Sequence, residues 1–135
     1  MRKITEIIIH CSATIEGKDY TVADIDRWHR ARGFRKIGYH YVIYRDGSIH
    51  AGRPISETGA HCAGHNAHSI GICYIGGLAK DGRTPKDTRT PKQREAMRSL
   101  IKHLKQKFPE ASIHGHREFA PKACPCFRVP EELSR

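Results

Sequence analysis

Apolar residues in this 135-residue chain fall into short runs with two distinct periods. Residues 4–9, ITEIII, form a β-branched run suited to a buried strand, which ends on the polar His10. Residues 21–33 place Ile25, Trp28 and Ala31 on one helical face. Thr21 is positioned to cap that helix, with Asp24 three positions on, and Gly33 to stop it. Residues 39–50, YHYVIYRDGSIH, read as a hairpin whose two β-rich runs flank Asp46-Gly47, a dipeptide that favours a type I′ turn. Residues 69–75, SIGICYI, predict a second buried strand closed by Gly76 and Gly77. After a polar loop at 80–90 comes a long helix, with Thr90 as N-cap, Pro91 in the first turn and Gln93 completing a capping box. Ala96, Met97, Leu100, Ile101, Leu104 and Phe108 form its apolar stripe, and Pro109 lies just beyond its end. A short strand at 112–114 leads into 115–129, a Gly-, Pro- and Cys-rich segment without periodicity. The order β, α, β-hairpin, β, α, β, loop predicts an α/β fold: a single domain over 1–135 with a central mixed β-sheet flanked by helices.

Composition narrows the function classes. No apolar run approaches the ~20 residues of a spanning helix, so no membrane insertion is expected. The opening residues, MRKITEIIIH, lack a long apolar core and a small-residue cleavage site. Synthesis in the cytoplasm without a signal peptide is therefore expected. Lys and Arg number 24 against 14 Asp and Glu, a net charge of +10 that draws the chain toward polyanions such as nucleic acid, anionic membrane or anionic wall polymer. No helix-turn-helix, zinc-finger spacing or RNP-like aromatic stripe is visible, which argues against a nucleic-acid partner. The cysteines number five, an odd count that argues against a disulfide framework and for free thiols or metal ligands. The ten histidines direct the search toward a metal site.

Reactive side chains concentrate in HCS at 10–12, GYH at 38–40, GAHCAGHNAHSIG at 59–71 and GHREFAPKACPCF at 115–127. His116 and Cys124 are eight positions apart in a loop stiffened by Pro121 and Pro125, a spacing that matches no short chelating motif. A catalytic zinc site uses three protein ligands and keeps one position open, so a third ligand must come from elsewhere. His10, at a strand end that can face a loop across a cleft, is the candidate. Spacing alone leaves open that all three are ordinary surface or core residues. His61, His65 and His68 could line a substrate groove, His61 foremost, or be solvated loop imidazoles. His40 alternates with Tyr39 and reads as structural. His29 reads as a surface residue, Cys11 and Cys73 as core, and Cys126 as a partly exposed thiol rather than a ligand.

These motifs carry a resemblance. IIIHCSAT at 7–14, DIDRWHRARGF at 24–34, GYHYVIYRDGSIHAGR at 38–53, HSIGICYIGG at 68–77, TPKQREAMRSL at 90–100 and GHREFAPKACPCF at 115–127 occur in the order found in the phage-type zinc amidases. These are N-acetylmuramoyl-L-alanine amidases related to the peptidoglycan recognition proteins. The chain is most similar to the small endolysin branch, in which the third zinc ligand is Cys. The resemblance implies His10, His116 and Cys124 as ligands of Zn2+, and Tyr39 and Lys122 as catalytic residues. It implies peptidoglycan as substrate, cut between N-acetylmuramic acid and L-alanine, with the chain acting as a monomer on the bacterial wall after release. Arg128 departs from the pattern, because many relatives carry Asp there to cap the final helix. Two rivals remain: a peptidoglycan-binding protein without catalysis, and a basic, zinc-stabilised nucleic-acid-binding protein.

Overall fold

The computed structural model describes residues 2–133. Its strands are β1 (Glu6–Cys11), β2 (Thr14–Ile15), β3 (Tyr41–Ile43), β4 (Ile49–Ala51), β5 (Ser69–Tyr74), β6 (Gly77–Leu78) and β7 (Ser112–Gly115). The helices are α1 (Val22–Ala31), α2 (Pro91–Lys107) and α3 (Val129–Leu133), with 3₁₀ turns at Asn66–His68 and His116–Glu118. One sheet runs β4-β3-β5-β1-β7, and β2 and β6 make a separate parallel pair. β1 lies parallel to both β5 and β7, and β3 lies parallel to β5 but antiparallel to β4, so the sheet is mixed.

The central strands are apolar on both faces because both faces are covered. Ile7, Ile9, Ile70, Ile72 and Tyr74 pack with Met97, Leu100, Ile101 and Leu104 of α2. On the other face Ile25 of α1 packs with Val42, Cys73 and Ile75. Period-two alternation therefore turns Ile7 and Ile9 toward α2 and puts His10 on the α1 face. His10 lies one residue before the end of β1, so the strand continues one residue past the end that the apolar run implied.

Both long helices start as the sequence indicates. Thr21 with Asp24, and Thr90 with Gln93, form complete capping boxes. Gln93 is fully buried, and its Nε2 also donates to Ile43 O and Ile75 O, tying α2 to the ends of β3 and β5. Two expectations are corrected here. Of the expected face Ile25, Trp28 and Ala31, Ile25 is buried and Trp28 packs partly buried against it, but Ala31 is exposed and His29 is buried in its place. The hairpin is closed by a three-residue loop, Arg45–Asp46–Gly47, in which only Gly47 has positive φ (87°). A type I′ turn would need positive φ at Asp46 as well. Asp46 instead spends its carboxylate on the Ser48 N–H and hydroxyl.

Arg128 does not loosen the C-terminus. Val129 and Leu133 are buried, and Glu132 pairs with Arg89, whose guanidinium lies 3.4 Å from the centroid of the Phe127 ring.

Candidate metal centre and groove

His10, at the C-terminal end of β1, is 1% exposed. Its Nε2 meets Nδ1 of His61 at 2.8 Å, and Nε2 of His61 meets the Ser69 hydroxyl at 3.1 Å. This pairing leaves Nδ1 of His10 as the free donor. A lone pair there requires the proton on Nε2, which donates to His61 Nδ1. His61 then carries its own proton on Nε2 and donates it to Ser69. The Ser69 hydroxyl can accept that proton, so the chain of bonds accommodates the metal-binding tautomer of His10. Asn66 holds the His61 loop by accepting from the backbone N–H of His61 and of Cys62. Room for the His61 ring comes from Gly71 on β5, where an added Cβ would lie 2.7 Å from the ring.

The second and third donors arrive from the loop after β7. Glu118 accepts from the Gly115 N–H, Arg117 N–H donates to Cys124 O, and the Tyr74 hydroxyl donates to Pro125 O. These bonds fold residues 116–125 back over the end of β1. The ligand atoms of His10, His116 and Cys124 all lie within 4.8 Å of one another. An ion bound at about 2.0–2.3 Å from each donor would draw them slightly closer.

The donors suit such an ion chemically. Burial, then the neighbouring His61 and His116, holds the His10 imidazole well below its ordinary pKa. Burial and the Lys122 charge lower that of His116, so both rings are neutral and keep a lone pair. The Cys11 backbone N–H donates to Cys124 Sγ at 3.2 Å and holds the sulfur in place beside the two rings. Two imidazoles and a thiolate match zinc-type coordination.

Tyr39 sits directly beside the cluster, its ring centroid 5.1 Å from that of His10 and 5.3 Å from that of His29. It lies just before β3, where Gly38 is in close backbone contact: an added Cβ there would fall 2.0 Å from Ala60 O. Burial pushes the Tyr39 phenol well above its usual pKa, so the hydroxyl keeps its proton. Lys122 is exposed and lines the same space. That space is a groove of about 530 Å³, walled among others by His29, Phe34, Tyr39, His61, His116 and Lys122. An adjoining hollow of about 230 Å³ reaches Ser12, Trp28 and Cys124.

The structure thus brings His10, His116, Cys124, Tyr39 and Lys122 together. His61 also reaches the groove wall, but both its ring nitrogens are committed to His10 and Ser69. His65 pairs with Glu6 and stacks on Phe119, and His68 turns to Lys3 O. His40 is buried, with Nδ1 accepting from the Gly71 N–H and Nε2 donating to Glu57 O. Cys126 sits at positive φ and directs its Sγ to Gly77 O at 3.4 Å.

His29 corrects a prediction. It is a buried residue, and its Nδ1 accepts from the Gly38 N–H at 2.9 Å, which positions Tyr39. Arg53 was not singled out, yet its buried guanidinium donates to Ile37 O and Thr58 O, clamping the same segment. The signal available for His29 was its spacing of four from Ile25 on α1, which places both on one helical face.

Comparison with known proteins agrees with this geometry. The family model described as N-acetylmuramoyl-L-alanine amidase matches residues 1–127. The endolysin of Klebsiella phage KP32 is 40% identical over 126 residues, covering 93% of this chain and 83% of that protein. The solved structure of the N-acetylmuramoyl-L-alanine amidase LysC from Clostridium intestinale URNW is 28% identical, with a TM-score of 0.81 over 97% of this chain and 82% of that one. Drosophila PGRP-LB is 29% identical, also at a TM-score of 0.81, over 99% of this chain and 81% of that one. With its sheet, its His/His/Cys cluster and a family match over almost its full length, the chain belongs to the N-acetylmuramoyl-L-alanine amidase family.

Proposed function

We propose that this chain hydrolyses the amide between the lactyl group of N-acetylmuramic acid and L-alanine in peptidoglycan, using a zinc ion held by His10, His116 and Cys124. The observation that carries the reading is the convergence of those three donors, within 4.8 Å of one another, on a groove that also presents Tyr39 and Lys122. A zinc ion bound there would polarise the scissile carbonyl and lower the pKa of a bound water to about 7.

The protein's own groups supply the rest. The neutral Tyr39 hydroxyl donates a hydrogen bond toward the carbonyl oxygen as negative charge grows on it. Lys122 Nζ, an ammonium at the groove rim, adds a second donor and carries a proton that the leaving alanine amine can take. His61 and Ser69 hold the His10 ring by Nε2, which leaves Nδ1 as the atom that would ligate the ion. The groove places the amide against these groups and limits water around it. The net charge of +10 brings the chain to an anionic wall before any of these contacts form.

Tyr39→Phe removes only a hydroxyl, and Lys122→Met removes the charge but keeps an apolar stem. Both variants should bind one zinc with near-native melting and still sediment with peptidoglycan. Their turnover should fall by roughly 10²-fold or more, the scale of losing one oxyanion donor. Near-native turnover in both would remove these residues from the chemistry.

A further inference from the structure

Three thiols meet at the end of β1. Cys11 follows His10 on the strand and turns to the opposite face, where it joins the core packed under α2. The segment after β7 folds back over that strand end, and Cys124 and Cys126 both pack partly buried against the same core. The Cys124 sulfur lies against the Cys11 backbone, 3.2 Å from its nitrogen and 4.0 Å from its carbonyl oxygen. The Cys11 thiol is in hydrogen-bond contact with the thiols of both Cys124 and Cys126. Gly77 gives the Cys11 side chain its space, since an added Cβ there would fall 2.5 Å from Cys11 Sγ.

The two neighbours of Cys11 are not equivalent. Cys126 directs its thiol to Gly77 O at 3.4 Å. Among the described residues, Cys11 and Cys124 are the only two of the five cysteines that line the hollow of about 230 Å³ beside the groove. Cys124 is partly exposed there and Cys11 is 6% exposed. A small polar molecule that enters the hollow therefore meets Cys124 first, with Cys11 in contact behind it.

The thiolate that binds a metal is also the form that attacks a peroxide. In that reaction the Cys124 sulfur bonds to one peroxide oxygen and the O–O bond breaks. Hydroxide leaves, takes up the proton that the thiol gave up, and the product is a sulfenic acid. The Cys11 sulfur then attacks the Cys124 sulfur. The new S–S bond displaces the sulfenic oxygen, which departs as water with the Cys11 proton. Two thiols and one peroxide thus give one disulfide and two waters, with two electrons passing from the sulfurs to the peroxide. Cys124 ends as a neutral disulfide sulfur, which cannot ligate zinc as a thiolate does.

We propose that Cys11 and Cys124 are a disulfide-forming pair: peroxide oxidises Cys124, Cys11 resolves it, and the bridge closes the metal site until a thiol reductant reopens it. A reducing compartment keeps the pair as thiols and an oxidising one closes it. The loss of zinc rests on the reading of Cys124 as a ligand, whereas the bridge itself does not.

The test treats metal-stripped and zinc-loaded protein with excess hydrogen peroxide. Bridges are mapped by mass spectrometry of the non-reduced digest, and zinc affinity is read by competition with a chromophoric chelator. Stripped wild type should lose the mass of two hydrogens and link Cys11 to Cys124. Its zinc affinity should fall by roughly 10²-fold or more, beyond the loss from removing a ligand's hydrogen-bond partner, and return after reduction. Zinc-loaded protein should react more slowly, because the ion holds the same sulfur. Cys126→Ser should behave as wild type. Adding Cys11→Ser to it, with a melting curve as the fold control, should abolish the bridge and let peroxide carry Cys124 to the sulfinic acid, which a thiol reductant does not reverse. Mapping on wild type and Cys126→Ser decides the pair even where the double variant does not fold. Any other bridge as the main product, or none, would overturn the proposal, as would full recovery of the folded double variant on reduction. A mapped Cys11–Cys124 bridge with unchanged zinc affinity would overturn Cys124 as the third ligand, a result distinct from the absence of the bridge.

Discussion

Replacing His61 by Leu tests how the metal centre is built. The substitution keeps an apolar side chain of similar bulk but removes the acceptor 2.8 Å from His10 Nε2. His10 is 1% exposed, so water cannot readily replace that acceptor. Leaving a buried N–H unpaired costs about 1–3 kcal/mol. Alternatively the ring flips or changes tautomer, and the Nδ1 lone pair is no longer presented to the ion. At about 1.4 kcal/mol per factor of ten, either route weakens zinc binding by roughly 10–100-fold, the range seen when the partner of a ligating His is removed. His61→Asn places an amide oxygen near the lost Nδ1 and should recover most of the affinity. The assay is competition for zinc against a chromophoric chelator, read beside KM at saturating zinc. Zinc affinity within twofold of wild type in His61→Leu, together with a raised KM, would refute this account and return His61 to a substrate-binding role.

Other outcomes follow from the same geometry. Cys124→Ser should lose zinc affinity sharply because a hydroxyl is a poor ligand beside a thiolate, whereas Cys126→Ser, whose thiol turns to Gly77 O, should keep both zinc and activity; equal zinc loss in the two variants would point to a shared thiolate site. Burial lowers the His40 imidazole to about 4, below the ~6.5 of an exposed histidine. The unfolded chain therefore takes up the proton first, so stability is full above about pH 6.5 and declines as pH falls toward 4. Melting measured in chelator should follow that slope and flatten in His40→Asn, which keeps an acceptor for the Gly71 N–H; identical slopes would exclude His40 as a source of the acid sensitivity.

What the sequence made legible was local. The β-branched run ending in His10, the two capping boxes and the α2 stripe each depend on neighbours within a few residues, and each is present in the structure. The gathering of His10, His116 and Cys124 is not local. The resemblance pointed to it, because nothing in the eight-residue spacing of His116 and Cys124 specifies β1 as the third element. Periodicity also reports only which side chains are buried, not what they bond. It could not indicate that His29 accepts from Gly38, nine residues on, or that both nitrogens of His61 are taken up by His10 and Ser69. The two-residue strands β2 and β6 are too short to leave a pattern, and they pair across 60-odd residues of chain. The Asp46-Gly47 signal located the hairpin correctly but not its loop length, which the Asp46 contacts to Ser48 decide.

The central claim is that His10, His116 and Cys124 hold a zinc ion that enables cleavage of the muramoyl-alanine amide. The most direct measurement is product analysis on purified peptidoglycan with protein stripped of metal and then titrated with Zn2+. The account predicts new N-terminal alanine without new reducing sugar ends, no release by the stripped protein, and recovery that saturates at one zinc per chain. New reducing ends in place of N-terminal alanine, or full release by stripped protein in the presence of chelator, would contradict it.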